Sequence, residues 1–194
     1  MRIIFARHAE TGSRYQGRYI GSTDLPISEE GRRQAQSLAV RLLEYQPVHC
    51  LASPMLRTRQ TAELLCGFLA IPGSTDDHLT EIDFGEWEGM SFPEICRSYP
   101  GAVDDWAANG AEFQFPGGDK TGDFWERMRG AATIVSGFRE SPLLVVAHGG
   151  VIRSLLCHYL GLPMASYLLF NVQPARFAVV DLVTDRGVLS GLNL

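Results

Sequence analysis

Three short apolar runs, Ile3 to Ala6, Val48 to Ala52 and Leu143 to Ala147, constrain the fold of this 194-residue chain more than any other feature. Each is too short for a core helix, and each leads into a helical pattern, so they read as strands buried on both faces. After the first, Ser28 is the expected N-cap of a helix carrying Ala35, Leu38, Ala39, Leu42 and Leu43. After the second, Ser53-Pro54 reads as a cap and first-turn pair, with Ala62, Leu65 and Leu69 on one face. After the third, Gly149-Gly150 opens a helix through Val151, Ser154, Leu155 and His158 that Gly161 and Pro163 close. Strands alternating with helices predict an α/β fold, a three-layer α/β/α sandwich around a mostly parallel sheet.

The remaining chain fits the same frame. Late strands are expected at Phe177 to Val183 and Gly187 to Leu192. The stretch from 76 to 126 breaks the alternation: it holds thirteen acids against Arg97 and Lys120, all three Trp residues, and turn signals at Tyr99-Pro100-Gly101 and Pro116-Gly117-Gly118. It reads as a small helical insertion near 90–126 lying over the sheet edge. With no linker composition around it, residues 1–194 are expected to form one domain, large enough to need no disulfide or metal staple.

Charge narrows the ligand. The net charge of −5 argues against nucleic acid or an anionic membrane as partner, since both need a broad basic face. Residues 1–60 nevertheless carry nine Arg against five acids, which suits a small anion. Cys50, Cys66, Cys96 and Cys157 lack metal or redox spacing and read as reduced thiols, in keeping with a cytoplasmic location. No stretch approaches the roughly 20 apolar residues of a membrane span, and no targeting segment is read in the chain.

In open parallel sheets, ligands bind beyond the carboxyl ends of the strands. There the first strand delivers Arg7-His8, the second Ser53-Pro54 with Arg57 one turn on, and the third His148. Two guanidinium forks and a helix N-terminus match a phosphate. Their positive charge disfavours both a bound cation and an imidazolium, leaving a neutral histidine as a nucleophile. A leaving alkoxide needs a proton, and the acids Glu81, Asp83, Glu86 and Glu88 are all candidates by spacing alone.

These residues carry a resemblance. Phe5-Ala6-Arg7-His8-Ala9-Glu10-Thr11 resembles the signature of the histidine phosphatase superfamily, the phosphoglycerate-mutase-like fold. Four further blocks agree in order and spacing: Gly21 to Ser28, Ser53 to Thr58, Glu81 to Gly89, and Ala147 to Arg153. The resemblance implies His8 as the residue phosphorylated, Arg7, Arg57 and His148 as its phosphate pocket, and Glu81 as proton donor. Arg14, Gly21 and Gly149 are expected at the phosphate too, and no metal or organic cofactor is implied. Within the superfamily the chain is most similar to alpha-ribazole phosphatases of cobalamin assembly. A small cap that admits water favours hydrolysis of a small phosphorylated substrate over mutase chemistry. A mutase, a sugar-phosphate phosphatase and a non-catalytic phosphate-binding regulator stay open as alternatives, as does a homodimer.

Three positions depart from the family pattern. Ala9 replaces a glycine, Arg14 stands where mutases commonly carry asparagine, and Asp119 shortens a carboxylate in Pro116-Gly117-Gly118-Asp119. His49, His78 and His158 read as structural or exposed, Trp87, Trp106 and Trp125 as core, and Arg18 as either solvated or functional. Gly118-Asp119-Lys120-Thr121 lacks the Gly-Lys pair of a nucleotide-binding loop.

Overall fold

The computed structural model describes residues 1–183 and 186–194. Its sheet has six strands in the order β3-β2-β4-β1-β5-β6: β1 Arg2–Arg7, β2 His49–Ala52, β3 Gly73–Thr75, β4 Leu143–Ala147, β5 Phe177–Val183 and β6 Arg186–Gly191. Pairings β1 with β4, β4 with β2 and β2 with β3 are parallel; β5 and β6 add an antiparallel edge. The expected mostly parallel α/β sandwich is therefore what forms. Strand β3 has no apolar run, because this short edge strand is exposed along its whole length.

The helices divide between the two faces. Ile4, Ala6, Leu144, Val146 and Phe177 pack beneath α1 (Glu29–Leu42) and α2 (Leu56–Leu69). Ile3, Phe5, Val145 and Ala147 pack beneath α5 (Thr121–Gly137) and α6 (Gly149–Leu160). Alternate strand residues thus serve opposite cores, which explains why the central runs are apolar throughout. Ser28 caps α1 as expected, its hydroxyl accepting the Gly31 N–H at 2.9 Å. Gly161, in the left-handed conformation, closes α6.

One expectation needs correction. Ser53-Pro54 does not start α2: the helix begins at Leu56, whose N–H donates to the Asp24 carboxylate at 2.7 Å, so a remote acid does the work assigned to Ser53. The small helical insertion forms: α3 (Phe92–Ser98) and α4 (Pro100–Asn109) are followed by a short 3-10 turn at Gly110–Glu112, and from Thr121 onward the chain belongs to α5. Trp87, Ile95, Phe113 and Phe115 join the core on the α5 and α6 face. That aromatic cluster could be seen as core in the sequence, but its destination could not.

Candidate active site

Sheet register assembles the site. Arg7 pairs with Ala147 across parallel β1 and β4, and the His8 N–H donates to the Ala147 carbonyl at 3.0 Å. The next residue on each strand is a histidine, so the two rings meet with centroids 5.3 Å apart. Strand β2 flanks β4 on the other side and brings Ser53 to the same end.

Each ring has a defined hydrogen-bond state. His8 Nδ1 lies 2.8 Å from the carbonyl oxygen of Ala9, an acceptor only, so Nδ1 carries the proton and Nε2 keeps a free lone pair. Arg57 Nε donates to His148 Nδ1 at 3.2 Å, which leaves His148 Nε2 to donate to Ser53 Oγ at 2.9 Å. Burial, then the charges of Arg57 and Arg7, hold the His8 imidazole well below its ordinary range. Burial, Arg57 and His8 do the same to His148. Both rings are therefore neutral at pH 7.

Arg57 is fully buried, yet three of its N–H groups are taken: Nε by His148, Nη1 by the Thr23 carbonyl and Nη2 by the Gly21 carbonyl. Gly21 therefore meets the site through Arg57, by its backbone. A Cβ at Gly21 would lie 1.9 Å from the Ile82 carbonyl oxygen, so the loop can approach only as glycine. The Glu88 carboxylate holds that loop by accepting from Gly21 N, Ser22 N and Thr23 Oγ1. Arg7 donates one N–H to the Val172 carbonyl at 2.7 Å and leaves Nε unpartnered; burial lowers its pKa to about 10.

Of the four candidate acids, only Glu81 reaches the site. Asp83 accepts from Ser22 and Gly85, Glu86 from the Tyr99 phenol, and Glu88 is occupied as above. Glu81 accepts the Gly150 N–H at 2.9 Å through Oε2. A Cβ at position 150 would stand 2.5 Å from Oε1, so this approach also demands glycine. Arg127 of α5 donates to the carbonyls of Thr80 and Glu81, fixing the backbone that carries the acid.

Two cavities share Arg7, Gly17, Arg18 and Ile20 in their walls. An open vestibule of about 730 Å³ contains His8, Glu10, Gln34 and Arg176. A second cavity of about 210 Å³ contains Glu81, Gly149, Gly150 and Arg153 among aromatic walls that include Tyr19, Trp106 and Tyr167. Arg14, expected at the phosphate, is exposed and stacks on the Tyr15 ring; like the buried Arg57 and His148, it lines neither cavity. Arg18 reaches both cavities but is tied to the Gly89 carbonyl and Glu94. Sequence reasoning missed Ser53 as the partner of His148 and Glu88 as the clamp on the Gly21 loop, and it did not single out Arg127 or Arg153. Glu88 and Arg153 lay inside quoted motifs, whereas nothing in the α5 pattern singles out Arg127.

Comparison with known proteins agrees over the full length. The family model for the histidine phosphatase superfamily (branch 1) matches residues 3–194. Phosphoserine phosphatase 1 of Hydrogenobacter thermophilus is 29% identical, across 100% of this chain and 92% of its own. Adenosylcobalamin/alpha-ribazole phosphatase of Salmonella typhimurium is 30% identical, across 100% of this chain and 96% of its own. The crystal structure of the alpha-ribazole phosphatase from Shigella flexneri superposes with a TM-score of 0.85 at 25% identity, covering 100% of this chain and 96% of that one. Matched along nearly all of its sequence and sharing this sheet, the chain belongs to the histidine phosphatase superfamily.

Proposed function

We propose that this protein is a phosphomonoesterase that works through a phosphohistidine on His8. The observation that carries the reading is the state of that ring: a neutral imidazole, its proton held on Nδ1 by Ala9, with the Nε2 lone pair free beside Arg7 and Arg57. The phosphate sits at Arg7, which lines both cavities, with its ester oxygen toward Glu81. His8 Nε2 attacks phosphorus, the P–N bond forms and the P–O bond to the alcohol breaks. Arg7 and the two N–H groups of Arg57 without a protein partner stabilise the charge on the non-bridging oxygens. His148 joins them when it exchanges its bond to Ser53 for one to the phosphate. Gly149, against the Arg7 guanidinium at the start of α6, keeps that side of the pocket open.

Glu81 gives its proton to the departing alkoxide and then takes one from a water that enters the vacated space. That water attacks phosphorus opposite His8, the P–N bond breaks, and inorganic phosphate leaves with His8 neutral again. Among substrates, whole-chain similarity to alpha-ribazole phosphatases and the aromatic walls beside Glu81 favour a ring-bearing ester such as alpha-ribazole 5′-phosphate. Brief reaction with labelled substrate followed by rapid quench should leave an acid-labile, base-stable phosphoryl group on His8, and His8→Asn should abolish it. A fast quench that traps no label on His8 while phosphate is being released would overturn the mechanism.

A further inference from the structure

The guanidinium of Arg57 takes its direction from a loop, and the loop takes its own from Glu88. Arg57 Nη1 donates to the Thr23 carbonyl at 2.9 Å and Nη2 to the Gly21 carbonyl at 2.8 Å, so both arms of the fork are set by residues 21–23. That stretch belongs to no helix or strand. The half-buried Glu88 carboxylate gathers its donors instead. Oε1 accepts from Gly21 N at 2.9 Å and Ser22 N at 3.0 Å, while Oε2 accepts from Thr23 Oγ1 at 2.6 Å and Thr23 N at 3.3 Å. Gly21 and Thr23 thus bond Glu88 through their N–H groups and Arg57 through their carbonyls. Glu88 is fixed in turn, since Phe84 N–H donates to Oε1 at 3.2 Å and Glu88 N–H donates to the Gly85 carbonyl at 3.0 Å. Just beyond the loop, Asp24 accepts from Leu56 N–H, the residue before Arg57.

We propose that Glu88 is a positioning residue for the phosphoryl-transfer step, acting through Gly21, Thr23 and Arg57 without touching the substrate. This assignment rests on the phosphatase reading above, in which Arg57 stabilises charge on the non-bridging oxygens. A guanidinium fork stabilises that charge only when its plane and distance are set, and a misplacement of about 1 Å can cost roughly 100-fold in rate. A carboxylate suits the clamp because it accepts at both oxygens and donates at neither, whereas an amide would turn a donor toward one set of loop N–H groups. Its charge matters too: burial draws the Arg57 pKa down, and the carboxylates of Glu81, Asp24 and Glu88 draw it up. One short segment, 81–88, therefore carries both the proposed proton donor and the clamp on a phosphate-binding arginine.

A double-mutant cycle with Arg57 separates positioning from general support of the fold. Glu88→Gln should lower kcat roughly 10- to 100-fold, by a similar factor for every ester hydrolysed, because the phosphoryl group is common to them all. Thr23→Val, at an exposed position, removes one bond to the clamp and should cost about three- to tenfold, with Thr23→Ser restoring most of the rate. In an Arg57→Ala background, both changes should cost less than about twofold, since the group they aim is gone. Each kcat is referred to the folded fraction measured by circular dichroism. Equal losses with and without Arg57, or full activity in Glu88→Gln, would overturn the assignment while leaving the phosphatase reading intact. If Glu88→Gln fails to fold, the Thr23→Val cycle decides in its place. If the unmodified protein hydrolyses no phosphoester, the phosphatase reading itself is struck. Binding of orthovanadate then tests the link from Glu88 to Arg57: affinity about tenfold weaker in Glu88→Gln upholds it, and unchanged affinity overturns it.

Discussion

The proposed phosphate end, around His8 and His148, and the cavity beside Glu81 are built differently. Around His8 and His148, Ala9 and Ser53 hold the rings and Gly21 and Thr23 hold Arg57, while His8 Nε2 and Arg7 Nε have no protein partner. Around Arg153 the aromatic walls are packed but three polar groups have no partner. Both ends therefore leave a buried donor free, but at His8 and His148 the surrounding side chains are fixed by named partners on neighbouring strands and loops.

The contrast can be broken most forcefully at the phosphate end. Arg57→Ala should lower turnover roughly 100- to 1,000-fold, as for loss of an oxyanion donor, and by a similar factor for every ester tested. A loss confined to ring-bearing esters would show that the two ends are not separate. The junction offers the next largest effect. Gly150→Ala places a methyl group against the Glu81 carboxylate and should lower kcat roughly 10- to 100-fold, with phosphohistidine formation slowed in rapid-quench experiments. If kcat holds and only KM moves, Glu81 tolerates displacement and is not the proton donor.

The smallest effect concerns stability. His8 and His148 have folded-state pKa values depressed below the ordinary 6.5, so the unfolded chain binds more protons as the pH falls through that value. Their contribution is complete above about pH 6.5 and declines below it, so Tm should drop between about pH 6.5 and 5. His148→Gln should make that decline shallower. An equally steep decline in the variant would assign it to the carboxylates instead.

Much of the phosphate end is legible in the chain. Apolar runs that stop at Arg7-His8, Ser53 and His148 declare strand ends, and parallel sheets collect strand ends at one edge. Ser28 and Gly161 likewise mark helix boundaries through local backbone chemistry, which needs no tertiary context. Ser53 misleads for the complementary reason. Its hydroxyl suits a helix cap, but His148 claims it from another strand and Asp24 caps the helix from a loop.

Glu81 marks where local reading ends. Four acids lie within eight residues, and nothing about their spacing separates them. Glu81 is selected because Gly150, 69 positions away, donates to it and leaves room for it, while Arg127 fixes its backbone from a helix on the same face. The central strands, the residues at their carboxyl ends and the resemblance to the superfamily follow from short-range patterns, because hydrophobic periodicity and strand-end chemistry are properties of neighbouring residues. The choice of acid and the partners of His148 depend on contacts between residues far apart in the chain. Those arise only when packing brings the donors and acceptors within hydrogen-bond distance.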